Sequence, residues 1–374
     1  MMRILIAGDY YPNRRITVKL DSGQKDIISN DIVELIQYAD LSIVNYESPM
    51  TEGVDCSPIA KSGPSLHSNK NAIDYIKALG FSLATLANNH TSDYGQAGLL
   101  NTISYLKEKG IATIGAGKDL NEASSIYYKD EVAIINCCEH EFGIAEIDKA
   151  GANPLNAVQQ YYKIKEARTH AKYIIVIVHG GCEHFQYPTP RMKELYRFFI
   201  DAGADAVINA HQHCYSGYEL FHDKPIFYGL GNFCFDSFSP KDKPSPWNYG
   251  YMVELKLNNT VEFEIYPYSQ CAEEPIVKLL QETDKQEFIN NIDYLNSIIS
   301  DNQKLTRTYK EWDAKNNDVY QYIMRPFHTR KGFFPWLKGI LFFHRNKSLK
   351  ELVLNCIRCE SHRERLIRSI ESKI

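Results

Sequence analysis

Carboxylate, amide and imidazole side chains stand at the ends of five apolar runs in this 374-residue chain. Asp9 follows residues 3–7 in Gly8-Asp9-Tyr10-Tyr11-Pro12. Glu47 follows 41–44 in Asn45-Tyr46-Glu47-Ser48-Pro49. Asn89 and His90 follow 83–86, His179 ends the run 173–178, and His211 and His213 follow 206–208. Such groups, set at successive strand ends, converge on one edge of a sheet. That is how a fold assembles a metal centre from residues far apart in sequence. Mixed oxygen and nitrogen donors suit one or two Mn²⁺, Fe²⁺ or Zn²⁺ ions rather than Ca²⁺. The chemistry would be hydrolytic: two divalent ions about 3.5–4 Å apart acidify a water and hold the charge that develops at phosphorus or at a carbonyl carbon.

Each residue has a structural use beside its chemical one. Asp9 is a terminal metal ligand or a turn former. Glu47 bridges two ions or is a solvated loop acid. Asn89 offers a neutral amide oxygen or closes an Asx turn. His90, the next residue, points elsewhere and is placed to protonate a leaving group or to steady an anion. His179 is a ligand or a satisfied core histidine. His211 and His213 are one residue apart, so in an extended segment both rings face the same side and serve one ion each. Glu183 orients His179 or the attacking water. Asn232 caps the site from the turn 231–233 or only shapes that turn. Lys61, His67 and His184 are candidate substrate contacts.

The elements that must position these groups alternate. Helical patterns at 26–38, 69–79, 98–108, 159–170 and 190–202 separate strand-like runs, with Gly80, Gly110 and Gly203 as stops. After His213 the texture turns to short strands at 218–221, 226–228, 250–256 and 261–266, with a hairpin turn at Asn258-Asn259. This predicts two stacked sheets flanked by helices over residues 1–270. Residues 271–374 read as a helical extension. The segment 237–248 is a candidate lid loop.

Hydrophobic content of 44% with 12% aromatics indicates a globular core. A net charge of −4 argues against nucleic acid as partner. The charge is uneven: residues 325–374 hold twelve Lys and Arg against four Glu, a net +8 that leaves −12 for the rest. The aromatic stretch 332–343, flanked by Arg330, Lys331, Arg345 and Lys347, either packs on the body or meets an anionic membrane surface. It is too short and too interrupted to span a bilayer. Met1-Met2-Arg3 runs directly into Ile4-Leu5-Ile6, so the reading is cytoplasmic, with peripheral membrane contact as the tail's alternative role. The nine cysteines are odd in number and lie mostly in apolar runs, which fits buried thiols better than disulfides or a zinc site at Cys356-x-x-Cys359.

The ordered residues Asp9, Glu47, Asn89-His90, His179 and His211-x-His213 resemble the motif series of the calcineurin-like metallophosphoesterases. Within that superfamily, four strings resemble the bacterial capsule-synthesis family CapA/PgsA. They are the Asp9 and Glu47 patches, Leu86-Ala87-Asn88-Asn89-His90 with Asp93-Tyr94-Gly95, and Tyr228-Gly229-Leu230-Gly231-Asn232-Phe233. The stretch 203–213 matches as well, and the likeness covers residues 1–268. It implies a four-layer α/β/β/α sandwich and a metal-dependent hydrolase serving capsule, exopolysaccharide or poly-γ-glutamate production. It also implies an anionic polymer or phosphorylated small molecule as substrate, and capsule-synthase proteins as partners. Three positions depart. Tyr11 replaces a histidine, which predicts a weaker second ion or a single one. Glu47 replaces an aspartate. Gly180 stands where tryptophan is usual, which predicts an opened wall beside the metal. The alternative from another class is a non-catalytic assembly partner that binds polymer in the old pocket.

Overall fold

The structure, a computed structural model, describes residues 1–237, 244–324 and 346–371. In chain order its strands are β1 (Met2–Tyr11), β2 (Leu41–Tyr46), β3 (Leu83–Thr85), β4 (Ala112–Ile114), β5 (Ala116–Gly117), β6 (Tyr127–Lys129), β7 (Val132–Cys138) and β8 (Gly151–Ala152). They continue with β9 (Tyr173–His179), β10 (Ala206–Ala210), β11 (Tyr218–Phe221), β12 (Lys224–Phe227), β13 (Asn232–Phe235), β14 (Tyr249–Asn258), β15 (Thr260–Gln270) and β16 (Val277–Leu279). Among the described residues, eight of them share one sheet in the order β16-β15-β14-β1-β2-β3-β4, with β13 also on β1. Six form a second sheet, β11-β12-β10-β9-β7-β6. The strands that lead into the candidate site run parallel: β1 with β2, β2 with β3, and β9 with β10.

The central strands are apolar on both faces because both faces are covered. Along β1, Ile4 and Ile6 point between the sheets, whereas Leu5 and Ala7 point outward. Along β9, Ile175 and Ile177 face the other sheet while Ile174, Val176 and Val178 face helices. The outer face of the first sheet is covered by helices Asn30–Tyr38, Lys70–Leu79 and Gly95–Glu108 through Ile32, Ile73, Ile76 and Leu99. The second is covered by Ala157–Arg168 and Pro190–Ala202 through Ile164, Met192, Tyr196 and Phe199. The layers are therefore α/β/β/α, as the alternation predicts.

Some elements differ from the sequence reading. Asn232 does not sit in a turn: it opens β13, which runs parallel to β1 with Asn232 opposite Asp9. A four-residue strand is too short to show a period. The tail begins with β16 before it becomes helical. Helix Glu282–Ser300 then closes one end of the space between the sheets with Phe288, Ile292 and Leu295. Helices Asp318–Met324, Lys347–Arg358 and Glu360–Glu371 share a small core of Tyr320, Ile323, Leu349 and Cys356. All nine cysteines are free, and eight are buried. No helix among the described residues is long and apolar enough to cross a membrane. The aromatic stretch 332–343, with Arg330, Lys331 and Arg345, lies outside the described residues.

Candidate metal centre

Five strand ends bring the sequence-predicted residues to one rim of the sandwich. Asp9 lies in β1 beside the first residue of β13. Glu47 follows β2, Asn89 follows β3, His179 ends β9, and His211 and His213 follow β10. His179 Nε2 is 3.4 Å from Glu47 Oε1, 3.0 Å from Asn89 Oδ1 and 3.0 Å from His211 Nδ1. His213 Nδ1 is 3.5 Å from Asp9 Oδ2, and its Nε2 is 4.0 Å from Glu47 Oε1. Two ligand sets result, Glu47-His179-His211 and Asp9-Glu47-His213, each with its atoms within 4.8 Å of one another. Glu47 is common to both. Tyr11 supplies no nitrogen, and its ring packs edge-on against Phe235 at 4.9 Å.

The His-x-His segment is not extended, as its spacing suggested. His211 and His213 both have positive φ, 103° and 55°. This is backbone that a β-carbon disfavours, and such strain gathers at functional sites. The turn sends His211 to one ligand set and His213 to the other, so the division expected from an extended strand arises from a different conformation. A tight crossing fixes Asp9. Its N–H donates to Gly231 O at 3.3 Å. A β-carbon on Gly8 would lie 1.9 Å from that same oxygen, so only glycine lets the strands approach.

Asp9 and Glu47 are fully buried. Burial holds both carboxyls above their ordinary pKa, and Glu47 raises Asp9 further. Burial pushes His179 down to about 4 and lowers His211. His213 goes the other way: burial opposes its charge, but Glu47, Glu183 and Asp9 outweigh it. Both Glu47 oxygens are buried with no hydrogen-bond partner among the described residues. A buried carboxylate left so is costly. A divalent ion would supply the missing partner, and the carboxylate and imidazole donors fit Mn²⁺, Fe²⁺ or Zn²⁺.

The remaining predicted residues surround this cluster. His90 Nδ1 is 2.7 Å from Asp93 Oδ2. Lys61 spends its ammonium on Asp93 and lies 3.1 Å from His90 Nδ1. It braces His90 and is not free in the site. Asn232 Oδ1 is 2.9 Å from His213 Nδ1, and its amide donates to His213 O at 3.2 Å, so it orients a candidate ligand. Glu183 and His184 line a cleft beside His211 and are exposed in it. Desolvation by the cleft walls tends to raise the Glu183 carboxyl, but His213 and His211 outweigh it and hold the carboxyl low. His67 is exposed and packs edge-on against Tyr94. Of the predicted lid, residues 238–243 lie outside the described residues. Its described end puts Trp247 4.8 Å from the His213 ring and 5.5 Å from His184.

Other contributors escaped sequence reasoning. Asn45 donates to Asp9 Oδ1 at 2.7 Å and lies 3.2 Å from His179 Nδ1. Its only signal was a polar residue inside a buried strand. The wall beside His179 is not open at Gly180. A β-carbon there would meet Glu139 Cγ at 2.7 Å, because the Glu139 side chain occupies that space. Glu139 is held in turn by Arg191 and by Ser361 of the last helix.

The family model for the bacterial capsule synthesis protein PGA_cap matches residues 3–237. The PGA biosynthesis protein CapA of Bacillus subtilis is 27% identical over 267 residues, which is 70% of this chain and 69% of that protein. The capsule biosynthesis protein CapA of Bacillus anthracis is 26% identical over 278 residues, covering 71% and 67%. A Mycobacterium tuberculosis protein named "Probable polyglutamine synthesis accessory protein" is 25% identical over 213 residues, covering 52% and 55%.

Proposed function

Because the chain belongs to the bacterial capsule synthesis family PGA_cap, we propose that it is a metal-dependent phosphoester hydrolase serving capsule, exopolysaccharide or poly-γ-glutamate production. One observation carries the chemical part: Glu47, shared by two ligand sets, is buried with neither oxygen hydrogen-bonded among the described residues. Glu47, His179, His211 and Asn89 would hold one ion; Asp9, Glu47 and His213 would hold a second, more weakly, since Tyr11 gives no ligand. Bound divalent ions supply an acidified water and shelter for the charge that develops at phosphorus.

The chain's own groups do the rest. Asn45 and Asn232 fix the faces of Asp9 and His213. Asp93 and Lys61 hold His90 so that its Nε2 gives a proton to the departing oxygen. Glu183, which lines the cleft beside His211, orients the attacking water. Trp247 shields His213 from bulk solvent on one side. Capsule-synthase proteins are the proposed partners.

The test is calorimetric titration of metal-free protein with Mn²⁺ and Zn²⁺, alongside hydrolysis of bis(p-nitrophenyl) phosphate and p-nitrophenyl phosphate. We expect metal uptake, and hydrolysis that His211→Ala lowers by more than the about 10–100-fold typical of losing an outer-shell partner. Two equally tight ions would overturn the assignment of a weak second site. The second reading, a non-catalytic assembly partner, is favoured by Tyr11 at a ligand position. Metal uptake with no hydrolysis across a substrate panel, or equal rates in wild type and His211→Ala, would select it.

A further inference from the structure

The last helices complete the candidate site. Glu360 accepts from the His140 backbone N–H at 2.9 Å and lies 2.7 Å from His140 Nδ1; Ser361 donates to Glu139 through its backbone N–H at 3.0 Å and its hydroxyl at 2.9 Å. His362 Nε2 faces Glu141 at 3.3 Å. Three successive residues of helix Glu360–Glu371 thus interlock with three successive residues after β7, the neighbour of the strand that ends in His179. This docking walls one side of an open cleft of about 390 Å³ that reaches from His211 and Glu183 to Asn355.

Most polar groups of the far wall are already committed. Arg365 is spent on Asp313 and the Asn316 carbonyl and lies over the Trp312 and Tyr320 rings. His362 is spent on Glu141 and the Tyr320 hydroxyl. Ser361 is spent on Glu139. Asn355 differs: it is 5% exposed, and its amide oxygen has no partner among the described residues. Across the cleft Glu183 is an exposed residue.

We propose that this cleft binds the hydroxyl-rich glycosyl part of a sugar phosphate whose phosphoryl group lies at the metal centre. An amide donates and accepts, a carboxylate accepts, and a sugar hydroxyl does both. A glutamyl polymer fits less well. Its carboxylates would face Glu141 and Glu183, while Arg365 and His362, which also line the cleft, already have partners. The inference rests on the phosphohydrolase reading and narrows it to one substrate class.

Binding to the metal-loaded full chain tests it by calorimetry, with non-hydrolysable phosphonate analogues standing for the gluco-, galacto- and manno-hexose 1-phosphates, and with inorganic phosphate and a γ-linked glutamyl trimer as further probes. At least one hexose phosphate is expected to bind about tenfold or more tighter than phosphate, as one or two satisfied hydrogen bonds allow. Asn355→Ala should remove about five- to tenfold of that preference with a smaller effect on phosphate, and Asn355→Ser, which keeps a donor and an acceptor, should retain part of it. Phosphate binding as tightly as every hexose phosphate overturns the inference in the wild type alone, whatever the variants do. So does a glutamyl trimer that outcompetes them, or an Asn355→Ala loss equal for both ligands. Failure of phosphate itself to bind would instead reject the hydrolase reading and this inference together.

Discussion

Asn45 shows how much of the proposed centre depends on residues that would touch no ion. One amide nitrogen contacts both Asp9 and His179 and so sets the faces they present. Asn45→Ala is expected to weaken the tighter metal site by about 10–100-fold with little change in fold, measured by metal titration. Lys61 makes a contrasting case. Its side chain and that of Asp93 are almost wholly buried, 1% and 0% exposed. Lys61→Met would leave Asp93 with a buried charge and one partner fewer. It should cost about 3–5 kcal/mol in chemical denaturation, where loss of a mere substrate contact would cost none. The candidate ligands were legible in the sequence because each is a polar residue placed where an apolar run stops. Asn45 was not, because it lies within β2, where burial on both faces hides which polar residue has a partner. Lys61 misled for a related reason: sequence shows a charge but not whether that charge is spent.

At the scale of elements, the alternation of strand and helix follows from apolar runs that end at glycines. Gly80 and Gly203 stop their helices with φ of 107° and 121°. The sandwich was legible for that reason. What stayed hidden was pairing between distant or very short segments, such as β13 on β1 and the last helix on the loop after β7. Gly180 illustrates the consequence. Read alone, its missing side chain opens a wall; in the fold that space belongs to Glu139, which carries the docking of Ser361 and Arg191. Gly180→Trp should therefore expel Glu139 and loosen the extension. Amide exchange in residues 360–371 is expected to accelerate by tenfold or more, with stability falling by about 1–3 kcal/mol. Unchanged exchange there would mean that Glu139 does not hold the helix.

Across the whole molecule, the extension joins the sandwich through ionisable pairs, so their union should depend on pH in a defined direction. Burial opposes ionisation of Glu141, but the hydrogen bond and charge of His362 outweigh it and hold the carboxyl low. Burial likewise opposes protonation of His362, but Glu141 outweighs it and raises the imidazole. A lowered carboxyl contributes stability that is full above its unfolded value, about 4.3, and is lost as pH falls through the lower native value. A raised imidazole contributes stability that is full below its unfolded value, about 6.5, and is lost as pH rises through the higher native value. The two limits bracket a window, roughly pH 4.3 to 6.5, in which the pair is ionised on both sides and docking is strongest. Partial exposure of His362 allows solvent to screen the pair, so the effect should be graded and weakened by salt. Protease cleavage of the extension, followed at pH 5.5 and 8.5, should be slower at 5.5. His362→Gln should erase most of that difference while leaving the Glu139–Arg191 contact in place. An equal pH difference in wild type and variant would place the pH-sensitive joint elsewhere.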